Sequence, residues 1–277
     1  MGGCSLTTDR RSHRARVLRV GEEEKTRADD QLAAEEPLEL RLGGEALTVM
    51  MRTPGHDAEL ALGFLFGEGI IRRRADVTAT TQIPNGEHPD LQNIVDIQLD
   101  PAAPGVDRRW QRNFLSATSC GLCGVSTIEA IHEAAPPLED STWQVDPEIL
   151  YGLDAKLRAE QAVFNRTGGL HAAGLFTREG DPVVVREDVG RHNAVDKVVG
   201  FAVERGMVPL DEHILMVSGR TSFEIVQKAL QARIAVLVSV SAPSSLARDL
   251  AQASNQTLIG FLRGRRLNVY SGRPRLR

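Results

Sequence analysis

The 277-residue sequence is poor in cysteine and lysine, and it lacks any long apolar run. Three cysteines in a chain of this length argue against a scaffold held by disulfide bonds. No stretch of apolar residues is long enough to span a membrane, and the N-terminus lacks the apolar segment of a secretory signal. A formal net charge of −4 gives no indication of a nucleic-acid or membrane partner. We therefore expect a cytoplasmic protein with reduced thiols.

The apolar pattern predicts an α/β protein in two parts. Residues 1–36 are charged and aperiodic, and we expect a disordered N-terminal tail there. Residues 37–118 predict a small β-rich domain, and residues 125–277 predict a larger α/β domain in which strands and helices alternate. Such alternation is typical of a sheet covered by helices on both faces. The loop at 119–124 falls at the joint of the two domains, where active sites often lie.

Local patterns predict individual elements within these parts. LELRLGGEALTVMMRTPG alternates about Gly43-Gly44, as in a β-hairpin. HDAELALGFLFGEGII has apolar residues at helical spacing and predicts an amphipathic core helix. We also expect strands in NIVDIQLD and RWQRNFLS, a helix in VSTIEAIHEA, and one longer helix in DPEILYGLDAKLRAEQAVF.

Two of the three cysteines, Cys120 and Cys123, lie three positions apart in SCGLCG. A structural zinc site needs four ligands, and the sequence has no second cysteine pair to complete one. A thioredoxin-like dithiol would follow the first strand of a βαβ unit, whereas several predicted β elements precede this pair. The flanking glycines and a helix that begins near Val125 favour exposed thiolates, which attack sulfur donors and carry persulfides. A tight loop with two inert small side chains is the remaining interpretation.

Three predicted strand-to-helix junctions are rich in polar residues. REDVGRHNAVDKVVG contains His192, a candidate proton shuttle, and Asp196. VSGRTSFEIVQKA places Arg220 among small hydroxyl residues at a helix N-terminus, where anions bind, and SAPSSLA forms the third junction. Because the carboxyl ends of strands in an α/β sheet form the ligand crevice, we expect the junctions to converge on one polyanionic ligand. A helix-surface histidine and ordinary helix capping are the alternative interpretations.

Arginines flank a glycine in GFLRGRRLNVY, close to the C-terminus. Arg263, Arg265 and Arg266 surround Gly264 between two predicted strands. Planar guanidinium groups on a tight turn are suited to clamping phosphate. The alternative is an exposed hairpin turn in a sequence whose basic residues are nearly all arginine.

Together these motifs closely resemble the FdhD family, the sulfur carriers needed for formate dehydrogenase activity. The resemblance spans about residues 37–271 and includes SCGLCG, FNRTGGLHAAGLF, REDVGRHNAVDKVVG, VSGRTSFEIVQKA, GFLRGRRLNVY and RTPGHDAELALGFLFGEGII. It implies that the C-terminal α/β domain has the three-layer fold of cytidine deaminases. Deamination itself is not expected, because Ala173 stands where the H-x-E motif that would start at His171 has its glutamate.

The resemblance also implies a function and a set of site residues. The family takes sulfur from a cysteine desulfurase and passes it to the molybdenum bis-guanine-dinucleotide cofactor before that cofactor is inserted into formate dehydrogenase. Cys120 would carry the persulfide, and Cys123 would assist the transfer. The segment that matches the family's cofactor-binding stretch comprises Phe261, Leu262, Arg263, Gly264, Arg265 and Arg266.

We therefore predict a sulfurtransferase-type sulfur carrier that binds the molybdenum cofactor, or a GDP-like fragment of it, as a client. No intrinsic cofactor and no metal site are expected. From their positions, we expect His192, Arg220 and Asp196 to help hold the client. Two alternatives remain open: a molybdenum-cofactor-binding chaperone without sulfur transfer, and a CxxC dithiol oxidoreductase. The expected partners are a cysteine desulfurase and formate dehydrogenase, and a homodimer is one arrangement that the sequence allows.

Overall fold

The computed structural model describes residues 9–21, 24–84, 86, 92–104, 136–139 and 143–277. Cys120 and Cys123 lie outside the described residues, as do the strand expected in RWQRNFLS and the helix expected in VSTIEAIHEA. The described part contains twelve strands in three sheets, seven α-helices and two short 3-10 turns. The strands are β1 (Ser12–Val20), β2 (Lys25–Ala33), β3 (Glu36–Leu42), β4 (Glu45–Arg52), β5 (Val77–Ile83), β6 (Ile94–Leu99), β7 (His171–Thr177), β8 (Pro182–Asp188), β9 (His213–Val217), β10 (Val236–Ser239), β11 (Thr257–Arg263) and β12 (Arg266–Ser271). The helices are α1 (Asp57–Gly67), α2 (Pro147–Tyr151), α3 (Leu153–Ala159), α4 (Ala162–Thr167), α5 (Arg191–Glu204), α6 (Phe223–Gln231) and α7 (Ser245–Ala253).

A six-stranded sheet with the order β12-β11-β10-β9-β7-β8 forms the centre of the C-terminal part. Its central strands β9, β10 and β11 are parallel, and the flanking strands are antiparallel to their neighbours. Side chains alternate between the two faces: Leu215 and Val217 pack with helices α5, α6 and α7, whereas Ile214 and Met216 pack with α2 and α3. The predicted three-layer α/β arrangement is confirmed.

A four-stranded sheet with the order β4-β3-β6-β5 forms the N-terminal part. The predicted hairpin about Gly43-Gly44 is confirmed, because β3 and β4 pair with Leu38 opposite Met50. Leu38 and Leu40 are fully buried on the face that contacts the core. Strand β5 was not expected, because most of its side chains at this sheet edge are exposed and give no apolar alternation.

Helix α1 packs between the N-terminal sheet and α5, and it is buried on nearly all sides rather than amphipathic. The consecutive residues Leu60, Ala61, Leu62 and Gly63 are all buried. A Cβ atom on Gly63 would lie 1.8 Å from the backbone oxygen of Asp196 in α5. The two helices therefore approach to backbone contact, which leaves no polar face for α1 to expose.

The N-terminal tail differs from the expectation of disorder. Strands β1 and β2 pair antiparallel over nine residue pairs, with Arg16 opposite Asp29. The base of this hairpin is held by an amide of Ala34 that donates to the carbonyl of Arg11 at 2.9 Å. Because the hairpin lies outside both larger sheets and is mostly exposed, its strands need no buried face, and hydrophobic periodicity gave no sign of them.

The single helix expected over residues 146–164 is replaced by the three short helices α2, α3 and α4. Asp146 caps α2 by accepting a hydrogen bond from the amide of Glu148 at 2.9 Å. Gly152 then ends α2, and Gln161 separates α3 from α4. The breaks let Leu150, Leu153 and Leu157 bury against one face of the sheet, and tertiary packing thus overrides the apolar periodicity.

Candidate functional site

Polar residues collect along one edge of the six-stranded sheet. The parallel strands β9, β10 and β11 end at this edge, and the antiparallel strand β7 begins there at His171. Ligands of α/β sheets bind outside the carboxyl ends of parallel strands. We call this region the carboxyl edge and define it by His171 and the segments 188–192, 218–222, 241–244 and 261–266.

Backbone hydrogen bonds join three of these segments. The amide of Thr221 donates to the carbonyl of Ala242 at 3.2 Å, and the amide of Ser244 donates to the carbonyl of Thr221 at 3.0 Å. The amide of Phe261 donates to the carbonyl of Ser241 at 3.2 Å. Two of the predicted junctions therefore meet each other and the arginine-rich turn in one continuous surface.

His192 stands in the first turn of α5 and contacts the first turn of α6. Its Nε2 lies 2.7 Å from Glu224 Oε2 and 2.9 Å from Ser222 Oγ, and the Ser222 hydroxyl donates to Glu224 Oε2 at 3.2 Å. Burial alone would raise the pKa of Glu224, but the hydrogen bonds and positive charge around it leave its pKa below the usual value. Glu224 is thus a carboxylate that orients the His192 ring.

A second imidazole, His171, lies next to this pair. A Cβ atom on Gly219 would come within 3.1 Å of His171 Nδ1, so the absence of a side chain at 219 makes room for the ring. Burial lowers the pKa of His171, and the positive charges of Arg191, His192 and Arg220 lower it further. Arg220 itself is exposed. The first and second junctions therefore meet in a group of cationic and imidazole side chains.

The turn between β11 and β12 places two arginines face to face. Arg263 and Arg266 are direct partners across the antiparallel pair, so their side chains share one face, where like charges repel. Both are exposed, and neither forms an ion pair with any described residue. Arg265, by contrast, makes a two-pronged ion pair with Glu148 and lies 5.1 Å from the centre of the Tyr151 ring. Within the part of the chain that the structure describes, these two guanidinium groups at the carboxyl edge have no counter-ion.

The residues before the turn divide between surface and core. Phe261 has a left-handed backbone (φ 54°) at a break in the strand register and is 38% exposed. Such strain in an exposed aromatic residue is common next to ligand sites. Leu262 is fully buried among the side chains under the sheet. The side chain of Leu262 therefore supports the fold, and a ligand bound here would meet the backbone of this residue.

A cavity of about 530 Å³ opens beside the carboxyl edge. His171 and Ser218 line it from the sheet, and Arg158 lies with its guanidinium 4.2 Å from the centre of the Phe164 ring on the helical side. Asp154 lies at its rim and accepts a long hydrogen bond of 3.5 Å from the amide of Gly264. The arginine-bearing turn and the cavity are therefore adjacent.

Asp196 does not lie at the carboxyl edge. It is one helical turn further along α5 than His192, is 3% exposed, and has its carboxylate 2.7 Å from Lys228 Nζ. Burial raises the pKa of Asp196. The expectation that Asp196 contacts the client is corrected, because this side chain is turned into the space between α1, α5 and α6.

Sequence reasoning missed three contributors to the site. His171 was considered only as a deaminase ligand, and its place opposite Gly219 follows from strand pairing that no local pattern reveals. Glu224 could have been suspected from its position two residues after the N-cap Ser222. No local sequence pattern pointed to Asp154, which lies at the rim of the cavity.

The cysteine pair remains a sequence-based prediction, since Cys120 and Cys123 lie outside the described residues. Within the described ranges, no group of three or more His, Cys, Asp or Glu side chains is arranged to hold a metal ion. The same part of the chain contains no helix that is long and apolar enough to cross a membrane.

The fold and the site define a mixed α/β protein whose six-stranded sheet carries arginine- and histidine-rich loops along its carboxyl edge. Within this class, the chain belongs to the FdhD/NarQ family, whose profile matches residues 33–277. It is 47% identical over 269 residues to a protein of Streptomyces avermitilis named sulfur carrier protein FdhD, covering 96% of this chain and 95% of the relative. A Thermoplasma volcanium protein with the same name is 43% identical over 255 residues, covering 90% of both chains.

A solved structure shares this fold. It is a crystal structure from Desulfotalea psychrophila, described as that of a formate dehydrogenase accessory protein. It superposes with a TM-score of 0.79 at 23% sequence identity and covers 96% of this chain and 100% of its own. This likeness supports the architecture described above, including the N-terminal part.

Proposed function

We propose that this protein is a sulfur carrier that takes sulfur from a cysteine desulfurase and delivers it to a molybdenum bis-guanine-dinucleotide cofactor destined for formate dehydrogenase. Membership of the FdhD/NarQ family and the names of the relatives support sulfur carriage. The observation in the structure that carries the client assignment is the Arg263–Arg266 couple, which has no ion-pair partner among the described residues and stands beside a cavity at the carboxyl edge. We place the protein in the cytoplasm and retain a homodimer as part of the proposal.

The sulfur chemistry is assigned to Cys120 and Cys123. The Cys120 thiolate attacks the outer sulfur of the desulfurase persulfide, so that one S–S bond breaks, another forms on Cys120, and the donor cysteine leaves as a thiolate. The Cys123 thiolate then attacks the inner sulfur of the Cys120 persulfide and expels hydrosulfide towards the client. A disulfide between Cys120 and Cys123 results, and a thiol reductant must reopen it before the next cycle.

The client is held through its phosphates and its bases. Arg263, Arg266 and Arg220 supply guanidinium groups to a ligand with several phosphates, and guanidinium binds phosphate through paired hydrogen bonds. The exposed ring of Phe261 offers a surface on which a base can stack. The neighbouring cavity of about 530 Å³ falls within the range of sites that enclose small ligands.

Sulfur labelling tests the carrier step. We expect the protein to gain radioactive sulfur when it is incubated with a cysteine desulfurase and ³⁵S-cysteine, because Cys120 then carries a persulfide. Cys120→Ala should lose the label, whereas Cys4→Ala, which changes the remaining cysteine of the chain, should take up label like the wild type. Equal labelling of Cys120→Ala and the wild type would rule out this assignment.

Outcomes of the same preparation distinguish the alternatives. A chaperone without sulfur transfer predicts that the double variant Cys120→Ala, Cys123→Ala still restores formate dehydrogenase activity. A dithiol oxidoreductase predicts a readily cycled disulfide between the two cysteines and no added sulfur in the mass spectrum of the 119–124 peptide. The sulfur carrier predicts an added sulfur on that peptide in the wild type and in Cys123→Ala.

A second prediction tests the arginine couple. The double variant Arg263→Ala, Arg266→Ala is expected to bind GDP about 10- to 100-fold more weakly than the wild type, because two charge-assisted contacts to phosphate are lost. Isothermal titration calorimetry at low salt measures this change. Arg205→Ala, an exposed arginine at the far end of α5, is the matched control and should bind like the wild type. An unchanged affinity for GDP in the double variant would show that the client does not bind at this turn.

A further inference from the structure

Four side chains form two rungs between helices α5 and α6. His192 and Asp196 are four residues apart on α5, and Glu224 and Lys228 are four residues apart on α6, so each pair shares one helix face. The first rung joins His192 Nε2 to Glu224 Oε2 at 2.7 Å, and the second joins Lys228 Nζ to Asp196 Oδ1, also at 2.7 Å. We call these four residues the ladder. It runs from the carboxyl edge into the core.

The charges of the ladder alternate only when the His192 ring is protonated. Asp196 and Lys228 are buried and neutralise each other, whereas Glu224 is ionised and partly buried with the His192 imidazole as its close partner. The imidazolium therefore has an anion across the rung and another one turn below it on its own helix. With a neutral ring, the four ladder residues together would carry one negative charge, and Arg191 would be the remaining positive charge that acts on Glu224.

The other ring nitrogen of His192 is available to a ligand. In the chain as described, no group makes a hydrogen bond to Nδ1, and this atom is not among the unpartnered atoms that are sealed from solvent. A protonated imidazole donates from both nitrogens. It can therefore bridge Glu224 on one side and an anion on the other.

We propose that His192 is a proton-switched phosphate contact of the carboxyl edge, and that Glu224 and, one turn deeper, the buried Asp196–Lys228 pair position its ring. The proposal rests on the proposed function in so far as the ligand carries phosphates. Client affinity then depends on pH, because histidine changes its charge between about pH 5 and 8. The arginines at the same edge give a constant attraction, and His192 adds a contact that is lost as pH rises.

Several charged or titratable groups surround His192 and its ladder partners. They are Arg191 on α5, Glu224 on α6, Arg220 in the β9–α6 turn, His171 on β7, Asp188 at the end of β8 and, deeper, Asp196, Lys228 and Glu68, whose pKa is raised by burial. His171 is the second imidazole in this group, and burial and neighbouring cations lower its pKa. His171 therefore loses its proton at lower pH than an ordinary imidazole and must be varied separately.

The test is the affinity of the full-length protein for GDP at pH 6.0, 7.0 and 8.5 by isothermal titration calorimetry. We expect the wild type to bind about tenfold more weakly at pH 8.5 than at pH 6.0, the loss of one charge-assisted hydrogen bond. GDP itself gains negative charge over this range, which would act in the opposite direction. His192→Gln should show no fall in affinity with pH, and Glu224→Gln should bind about threefold more weakly than the wild type at pH 7.0.

Controls separate this switch from other causes. His213→Gln removes a half-buried histidine at the opposite end of β9 and should keep the wild-type pH dependence. His171→Gln should keep most of it. If His192→Gln loses affinity with pH as the wild type does, or if His171→Gln alone abolishes the dependence, the inference is wrong.

Pyrophosphate serves as a second probe, so that failure of the inference can be told from failure of the proposed function. Binding of pyrophosphate with a His192-dependent pH response, but no binding of GDP, would support the switch and contradict the nucleotide client. Binding of both probes with the same pH response in His192→Gln and the wild type would contradict the switch alone. Binding of neither probe would overturn both. Thermal melts of every variant confirm that each is folded.

Discussion

Gly200 and Gly63 determine how closely helices α5 and α1 can pack. A Cβ atom on Gly200 would lie 1.8 Å from the backbone oxygen of Glu59, and one on Gly63 would lie equally close to the backbone oxygen of Asp196. Backbone atoms in a helix cannot move aside as the end of a flexible side chain can. This contact also fixes the position of α5, whose first turn presents His192 to the carboxyl edge.

Gly200→Ala is therefore expected to destabilise the protein even though alanine favours helix. The steric conflict should cost about 1–3 kcal/mol or more, against a gain in helix propensity of about 1 kcal/mol. Urea unfolding measures the free energy of unfolding. Gly152→Ala is the matched control, because the nearest atom to its added Cβ lies at an ordinary 3.9 Å. A Gly200→Ala protein as stable as Gly152→Ala would show that α1 can shift freely.

At the scale of elements, the second rung of the ladder joins α5 to α6 within the core. Lys228 is 9% exposed and Asp196 is 3% exposed, so Asp196 depends on Lys228 for charge compensation, and the nearby Glu68 carboxyl group interacts with Lys228 as well. Removal of one partner of a buried ion pair leaves an unpaired charge, whereas removal of both partners is often tolerated. We therefore expect the loss of one partner of this ion pair to lower the stability of the protein more than the loss of both partners.

Lys228→Met should lower the free energy of unfolding by about 3 kcal/mol at pH 7. Because burial raises the pKa of Asp196, this loss should shrink as the pH falls and the orphaned carboxyl group takes up a proton. The double variant Asp196→Ala, Lys228→Met should recover most of the stability. Arg248→Met, which breaks the exposed Arg248–Asp249 pair, is the control and should change stability by less than about 1 kcal/mol. Additive losses in the double variant would contradict this account.

At the scale of the whole molecule, the two larger sheets share one core. A single cluster of buried side chains includes Leu38 of β3, Leu60 of α1, Val198 of α5 and Leu258 of β11. Buried polar contacts also cross between the parts: Asp188 accepts a hydrogen bond from the amide of Thr53 at 3.1 Å and pairs with Lys197 Nζ at 2.7 Å. Contacts with the N-terminal part of the chain therefore help to fix the position of Asp188 at the carboxyl edge.

The same contacts explain why some features were predictable and others were not. Strand β9 has a run of apolar residues and helix α6 has an apolar face, and both surfaces are buried. Their apolar patterns therefore predicted the two elements from the sequence. The hairpin β1–β2 and the edge strand β5 bury little and gave no pattern. Helix α1 was recognised, but its burial on all sides depends on a partner that is more than a hundred residues away.

The family, the alternation of strands and helices, and the arginine-rich turn can be recognised without coordinates, because these depend on local chemistry and on spacing along the chain. Three features required the folded chain: Leu262 and Asp196 point into the core, Arg263 and Arg266 face each other without a counter-ion among the described residues, and Glu224 holds His192. The physical reason is that burial and charge compensation depend on contacts between residues that are far apart in the sequence. These residues lie on strands and helices that meet only when the sheet is complete.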